Sequence, residues 1–392
     1  MKMKSVSDQL ELIKRGSVQI ISEGQLKAKL EQSRKEARPL RIKAGFDPTA
    51  PDIHLGHAVI LRKLRQFQEL GHEVIFLIGD FTARIGDPSG RSELRKQLSK
   101  EEIEKNAATY KKQVSGILDM ALVRTVFNGE WFDSMSVLDI LKLTTHATVS
   151  QMLARADFKK RLARNEDISL LEFIYPLLQG YDSVKLKADI ELGGTDQIFN
   201  LLVGRDIQKD FGQPQQVVIT MPLLEGTDGA QKMSKSYGNY VGITEAPEEI
   251  FGKLMSISDE LMLKYYELLT DEDSESVKKM HPKEAKLDLA ERLTSDYHPA
   301  ASAKQARKNF ERVFSRKELP DQIAVYKLKG KKTAVVDILL ESGLVKSKNE
   351  ARRLLTQGGV KLDESVIKEE TAVCDKPGVL RVGKRRFLKL EK

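Results

Sequence analysis

The chain has a single cysteine, Cys374, in 392 residues. No internal disulfide can form, and a reducing compartment is expected. It lacks a run of about 18 apolar residues, the length a helix needs to cross a bilayer, so no membrane span is expected. Residues 1–12 mix Lys, Ser, Asp and Gln with isolated apolar side chains. That is not the continuous apolar stretch of a signal peptide, and a cytoplasmic location is expected. There is no internal repeat and no low-complexity segment. With 40% hydrophobic and 31% charged residues, the composition excludes a disordered chain and fits two or three globular domains.

An acidic excess is absent too: the formal net charge is +8. Residues 331–392 hold 15 Lys and Arg against 9 Asp and Glu, a net of +6. Most of the excess therefore lies in the tail, the footprint of a nucleic-acid-binding appendage.

The most informative stretch runs from Gly45 to His57. An apolar lead-in (Leu40, Ile42, Ala44) reads as a buried strand. Pro48 and Pro51 then fix a loop, and Ile60, Leu61, Leu64 and Phe67 recur at helical spacing up to Gly71. His54 and His57 thus sit at a strand-to-helix junction. Free N–H groups and a partial positive charge suit phosphate there. Gly56 lets a flat ring lie against the backbone, and both imidazoles can donate to phosphoryl oxygens. Taken alone, the two histidines are equally well read as surface imidazoles. No third ligand type stands nearby, so no metal site is expected.

About 175 residues further on come Lys232, Met233, Ser234, Lys235 and Ser236, after Gly226, Asp228 and Gly229. Two lysines on a flexible, glycine-flanked loop suit polyphosphate, though such a loop alone is usually just solvated.

Between these stretches, Val74–Ile78 is a continuous apolar run, the mark of a parallel strand buried on both faces. Such sheets bind ligands beyond the carboxyl ends of their strands. The loop from Gly79 to Arg91 falls at one such end. Its Gly-Asp-Pro-Ser-Gly run is most often only a tight turn; in this sheet position Asp87 can instead hold an ammonium group, and Arg91 and Arg95 can reach phosphates. Residues 1 to about 39 read as helical and charged, and helices are expected at 101–118, 137–143, 147–163 and 170–182, with a strand at 123–127. On the last helix Tyr175, Gln179 and Asp182 share a face. The stripe is either a satisfied core network or a pocket for a small polar aromatic ligand. Strand 190–194 ends at Gly193 and Gly194, which allow close backbone approach; Asp196 can bond a ribose and Gln197 a carboxyl. Strand 217–220 closes the sheet.

Helices then dominate from Glu245 to about Ser315, and 316–332 reads as a lysine-rich linker. The tail has two helices, 333–340 and 348–357, and three strands. Lys348 and Arg352 share a helix face beside Arg353, and Lys384, Arg385 and Arg386 occupy a hairpin turn. The expected organisation is a Rossmann-like α/β domain over 1–240, a helical domain with linker over 241–330, and a small α+β domain over 331–392.

The pair His-Leu-Gly-His and Lys-Met-Ser-Lys-Ser resembles the signature of class I aminoacyl-tRNA synthetases. With Gly-Phe-Asp-Pro-Thr, Ile-Gly-Asp-Pro-Ser-Gly, Tyr-x-x-x-Gln-x-x-Asp and Gly-Gly-x-Asp-Gln in order, nearly the whole chain resembles bacterial tyrosyl-tRNA synthetases. Its tail resembles their S4 RNA-binding domain. The resemblance implies tyrosine, ATP with Mg2+ and tRNA(Tyr) as partners, and a homodimer, for which the apolar 131–153 region is a candidate interface. It implies that Asp87, Tyr175 and Gln179 hold the tyrosine ammonium, that Asp182 accepts from the phenol, and that Gln197 orients the carboxyl. It places Gly45, Asp47, Gly56, Gly193, Asp196, Met233, Ser234 and Ser236 around the nucleotide. Thr49, His54, His57, Arg91, Lys232 and Lys235 would meet the triphosphate. In the tail, Lys348, Arg352, Arg353, Lys384, Arg385 and Arg386 would meet RNA.

One position departs. The better-known form of the family has a tyrosine two residues before Gly-Phe-Asp-Pro-Thr, helping to bind the phenol; here it is Lys43. Other readings are a tryptophanyl-tRNA synthetase, a pantothenate-synthetase-like adenylating enzyme, and a non-catalytic RNA-binding paralogue. Gln179 and the S4-like tail argue against the first. The helical domain and basic tail argue against the second, and the intact nucleotide motifs against the third.

Overall fold

The computed structural model describes residues 4–49, 51–87, 99–315, 323–328, 333–345, 347–363, 365–383 and 386–392. Arg91, Arg95, Lys384 and Arg385 lie outside the described residues. The chain divides into two compact units, Met1–Arg307 and Lys308–Lys392. Among the described residues no helix is long and apolar enough to cross a membrane.

The first unit is organised by a sheet of β1 (Gln19–Ile21), β2 (Arg41–Phe46), β3 (Glu73–Ile78), β4 (Val123–Phe127), β5 (Ile190–Gly194) and β6 (Val217–Met221). Their order in space is β1-β6-β5-β2-β3-β4. All neighbours are parallel except β1, which pairs antiparallel with β6 at the edge. Strand β6 is buried throughout and β3 in all but Glu73, as strands covered on both faces must be. The chain runs from β2 outward to β3 and β4, then returns to β5 beside β2 and runs outward to β6, while β1, the first strand in the chain, adds to the β6 edge. The order reverses between β2 and β5, and a crevice opens at that point beyond the strand ends. Asp47 follows β2 there, and Asp196 and Gln197 follow β5.

Three expectations are corrected. Residues 1–39 are not helical throughout: helices Val6–Lys14 and Glu23–Glu36 flank β1. Gly16 turns the chain at φ +68°, and Ile20 and Ile21 satisfy their backbone on β6. The helix expected over 147–163 is two, Val149–Leu153 and Ala156–Ala163. The break falls at Arg155, whose ψ of 132° leaves the helical region while its side chain grips Asp157 with two bonds of 2.7 Å. Finally, the segment read as linker contains a strand, described below.

The helix Leu170–Leu186, called here the pocket helix, begins in a capping box between Ser169 and Glu172. It packs closely on the helix Ile198–Asp210, because Gly180 faces Gly204; a Cβ at 180 would stand 3.1 Å from the Gly204 Cα. Further helices, among them Pro247–Leu254, Asp259–Leu269 and Pro282–Tyr297, bury Leu254, Leu261, Leu269, Leu287, Leu289 and Leu293.

The second unit has its own core. Helices Val335–Glu341 and Lys348–Thr356 share buried Ile338, Leu339, Ala351 and Leu355 with Val360, Leu380, Leu388 and Leu390 from its sheet. That sheet joins β9 (Val360–Leu362), β10 (Ser365–Ile367), β12 (Gly378–Val382) and β13 (Arg386–Glu391) with β7 (Ala324–Lys327). The strand β7 lies within the supposed linker. It pairs parallel to β13 and buries Tyr326, whose hydroxyl donates to Glu341 at 2.6 Å. The short β8 (Thr333–Ala334) pairs with β11 (Val373–Cys374).

Candidate active site

The two histidines cap the helix Leu55–Glu69. The Nδ1 of His54 accepts from the Gly56 N–H at 3.1 Å, and the Nδ1 of His57 accepts from the His54 N–H at 3.3 Å. Each Nδ1 is therefore an acceptor, so each neutral ring carries its hydrogen on Nε2. Burial presses the His54 pKa down to about 2, helped by His57 and Lys235. A neutral ring that still donates is what results. Gly56 is needed for this geometry, since a Cβ there would stand 2.9 Å from the His54 ring and 3.6 Å from the Met233 Cβ.

Lys232 to Ser236 lie on a hairpin, and the expected flexible loop is knitted internally. Met233 N–H donates to Leu224 O at 2.7 Å and Gly226 N–H to Gln231 O at 2.8 Å. The buried Asn239 accepts from Ser234 N–H at 2.9 Å and donates to Asp228 at 2.8 Å. Leu55 N–H donates to Val241 O at 3.0 Å, which brings this segment beside the histidines. Lys232 then pairs with Asp196, and Lys235 with Asp52, each at 3.1 Å.

The far side of the crevice is built on the pocket helix. Tyr175 donates to Asp47 Oδ2 at 2.8 Å, while Thr82 donates to Oδ1 at 2.8 Å. Gly79 is required beneath them, because a Cβ would strike both Asp47 and Thr82. Gln197 donates to Asp87 at 2.8 Å, and Asn200 to the Gln179 side-chain oxygen at 3.0 Å. Asp182 is buried at the end of the stripe. It accepts from Trp131 Nε1 at 3.1 Å and from Asn128 Nδ2 at 3.3 Å. Burial raises its carboxyl pKa to about 7, against the pull of Lys43 and both donors.

These elements enclose one cavity of about 550 Å³. Gly45, Asp47, Thr49, His54, Gly56, His57, Asp87, Tyr175, Gln179, Asp182, Gly193, Asp196, Gln197, Lys232, Met233, Ser234, Lys235 and Ser236 all line it. The sequence reading missed Asp52, Thr82, Asn128, Trp131 and Asn200, whose roles depend on partners distant in the chain. Among the described residues, no group of three or more His, Cys, Asp or Glu side chains is placed to hold a metal ion.

In the second unit, Lys348 pairs with Asp337 at 2.9 Å and Arg352 with Glu370 at 3.5 Å. Arg386 faces Glu350 at 3.9 Å and also donates to Leu344 O, and Arg353 is exposed on the helix carrying Lys348 and Arg352.

Residues 35–315 match the family described as tRNA synthetases class I (W and Y), and residues 335–376 match the S4 domain. The chain is 53% identical to the tyrosine–tRNA ligase of Geobacter sulfurreducens, over 98% of this chain and 99% of that one. The chain belongs to the tyrosyl-tRNA synthetases. These are tyrosine–tRNA ligases within class I. Identity to the tyrosine–tRNA ligase of Carboxydothermus hydrogenoformans is 51%, over 100% and 99% of the two chains. The solved tyrosyl-tRNA synthetase of Archaeoglobus fulgidus, complexed with L-tyrosine, superimposes with a TM-score of 0.63 at 27% identity, covering 77% of this chain and 100% of that chain. The α/β sheet and its crevice are thus the architecture of the family.

Proposed function

We propose that the cavity activates tyrosine with ATP and passes it to the 3′-terminal ribose of tRNA(Tyr). The observation that carries this is the meeting of two chemistries in one crevice. Imidazole and lysine donors lie at one end, and a buried carboxylate that suits a phenol lies at the other. The tyrosine ring lies along the pocket helix with its hydroxyl donating to Asp182. Its ammonium is held by Asp87, Tyr175 and Gln179, and its carboxylate is aimed by Gln197. ATP lies over Gly45, Gly56 and Gly193, with Asp196 on its ribose and its triphosphate against Thr49, His54, His57, Lys232 and Lys235. Magnesium enters with ATP as part of the substrate.

The tyrosine carboxylate attacks the α-phosphorus in line; the bond to the bridging oxygen breaks and pyrophosphate leaves. A carboxylate is already nucleophilic at neutral pH, so no general base is required. Catalysis is positioning together with stabilisation of charge on the leaving group. His54, kept neutral, donates through Nε2, and His57, whose Nδ1 is taken up by the His54 N–H, presents its Nε2. The lysines must exchange Asp196 and Asp52 for phosphate, which couples the hairpin to ATP.

We assign the helices of 241–330 and the tail, 331–392, to tRNA, met at backbone phosphates and unstacked bases. Val137, Leu138, Leu141 and Val149 are exposed apolar side chains, and we assign them to a homodimer interface. Protein synthesis in the cytoplasm is the setting. Charging of tRNA(Tyr) with labelled tyrosine tests the reading: ester-linked tyrosine on the RNA is expected, and its absence with an intact tRNA would overturn it.

A further inference from the structure

Lys43 lies in the middle of β2, directly beside Glu191 of β5 in the parallel register, and it is wholly buried. Its ammonium has three hydrogens, and each has a partner. They go to Glu191 Oε1 at 2.9 Å, Ser183 Oγ at 2.8 Å and the Gln179 backbone oxygen at 3.0 Å. Glu191 is equally enclosed. Its Oε2 accepts from Ser183 Oγ at 3.0 Å and from Gln216 Nε2, and Gln179 Nε2 reaches Oε1 at 3.5 Å. An ion pair this deep persists only when every proton and lone pair is satisfied.

Two of these partners, Gln179 and Ser183, bracket Asp182 on the pocket helix. That helix also contains Pro176, which removes one rung of its hydrogen-bond ladder. The ammonium ties this weakened helix to two central strands at the turn that carries Asp182. Lys43 lines the cavity, but its ammonium has no hydrogen left for a ligand, so it does not itself donate to the phenol.

We infer that Lys43, locked to Glu191, is a positioning and specificity residue. It sets the place and the charge of Asp182, and through Asp182 it selects a hydroxylated over a plain aromatic ring. This inference rests on the proposed tyrosine site. The charged groups acting on Asp182 are Lys43 from β2, which favours its ionised form, and Glu191 from β5, which opposes it; Asn128 and Trp131 supply the neutral donors. With Lys43 in place, Asp182 ionises at about 7 and then accepts from a phenol with a full charge. Without it, protonation of Asp182 moves to higher pH, and the neutral carboxyl is a weaker acceptor that carries a donor of its own.

The test compares Lys43→Met with the double variant Lys43→Met/Glu191→Gln in the full chain. Tyrosine-dependent ATP–pyrophosphate exchange is followed from pH 6 to 9, with phenylalanine in parallel. The double variant removes both charges together, so it keeps the test valid if the single variant leaves Glu191 stranded and does not fold. The expected result in the double variant is a rise of at least tenfold in KM for tyrosine, with KM for ATP unchanged. Preference for tyrosine over phenylalanine should fall similarly, and the acid limb of the tyrosine profile should move to higher pH. A folded double variant with the wild-type tyrosine KM, preference and pH profile would overturn the inference. A wild-type protein giving no tyrosine-dependent exchange would overturn the proposed function itself, a distinguishable failure.

Discussion

Tyr175 gives its phenolic hydrogen to Asp47 at 2.8 Å, tying the pocket helix to the loop that leads to the histidines. Both residues line the cavity, and the bond crosses from one motif to another 128 positions away. A hydrogen bond to a charged group contributes roughly 1.5–3 kcal/mol. Tyr175→Phe is therefore expected to weaken tyrosine binding by about tenfold or more. Equilibrium binding of tyrosine without ATP checks it, and an unchanged affinity would show that Asp47 is positioned without Tyr175.

Asp182 predicts the cost of losing the phenol acceptor. Asp182→Ala leaves Trp131 and Asn128 without their shared partner. A pocket with no acceptor gains nothing from the hydroxyl, so preference for tyrosine over phenylalanine should fall by a factor of about 5 to 150, the range of roughly 1–3 kcal/mol for one buried polar group. The ratio of kcat/KM for the two amino acids measures it. A mutant rejecting phenylalanine as strongly as wild type would contradict the assignment.

The histidine cap predicts a pH dependence of stability. His54 is held near 2 in the folded protein, against an ordinary 6.5 once unfolded. Between those values the unfolded chain binds more protons. Stability from this group is complete above about 6.5 and is lost as pH falls below it. Thermal melts of wild type and His54→Gln between pH 7.5 and 5 should converge as pH falls. Parallel curves would mean that His54 titrates normally.

The second unit holds its own core, so it is separable in principle. A chain ending near residue 307 is expected to form tyrosyl-adenylate at close to the full rate while charging tRNA far more slowly. Single-turnover adenylate formation against steady-state charging separates the two. Equal loss of both would give the tail a structural role.

The exposed apolar side chains predict an oligomer. Leu138→Asp should shift the protein from dimer to monomer in sedimentation velocity, because a buried carboxylate without a partner is costly. No change in mass would move the interface elsewhere.

Much of the site was legible in the sequence because glycine, proline and strand ends mark loops locally. The His54 to His57 junction, the turn at Gly193 and Gly194, and the stripe of Tyr175, Gln179 and Asp182 are all patterns within a few residues. What was not legible depends on pairing across the chain. Nothing near Trp131 or Asn128 announces Asp182 as their acceptor, and nothing near Asp52 announces Lys235. β1 and β7 escaped because short edge strands of three and four residues are stabilised by their neighbours rather than by pattern. One long-range pair did leave a signal. Lys43 interrupts the apolar Ile42–Ala44 and Glu191 interrupts Ile190–Leu192, and opposite charges inside two buried strands need each other.

The central claim is that one crevice recognises tyrosine and ATP together. ATP–pyrophosphate exchange with tyrosine, tryptophan and phenylalanine in parallel tests it most directly. Rapid exchange with tyrosine and little with the other two is the predicted result. Exchange driven by tryptophan, or by none of the three, would contradict it.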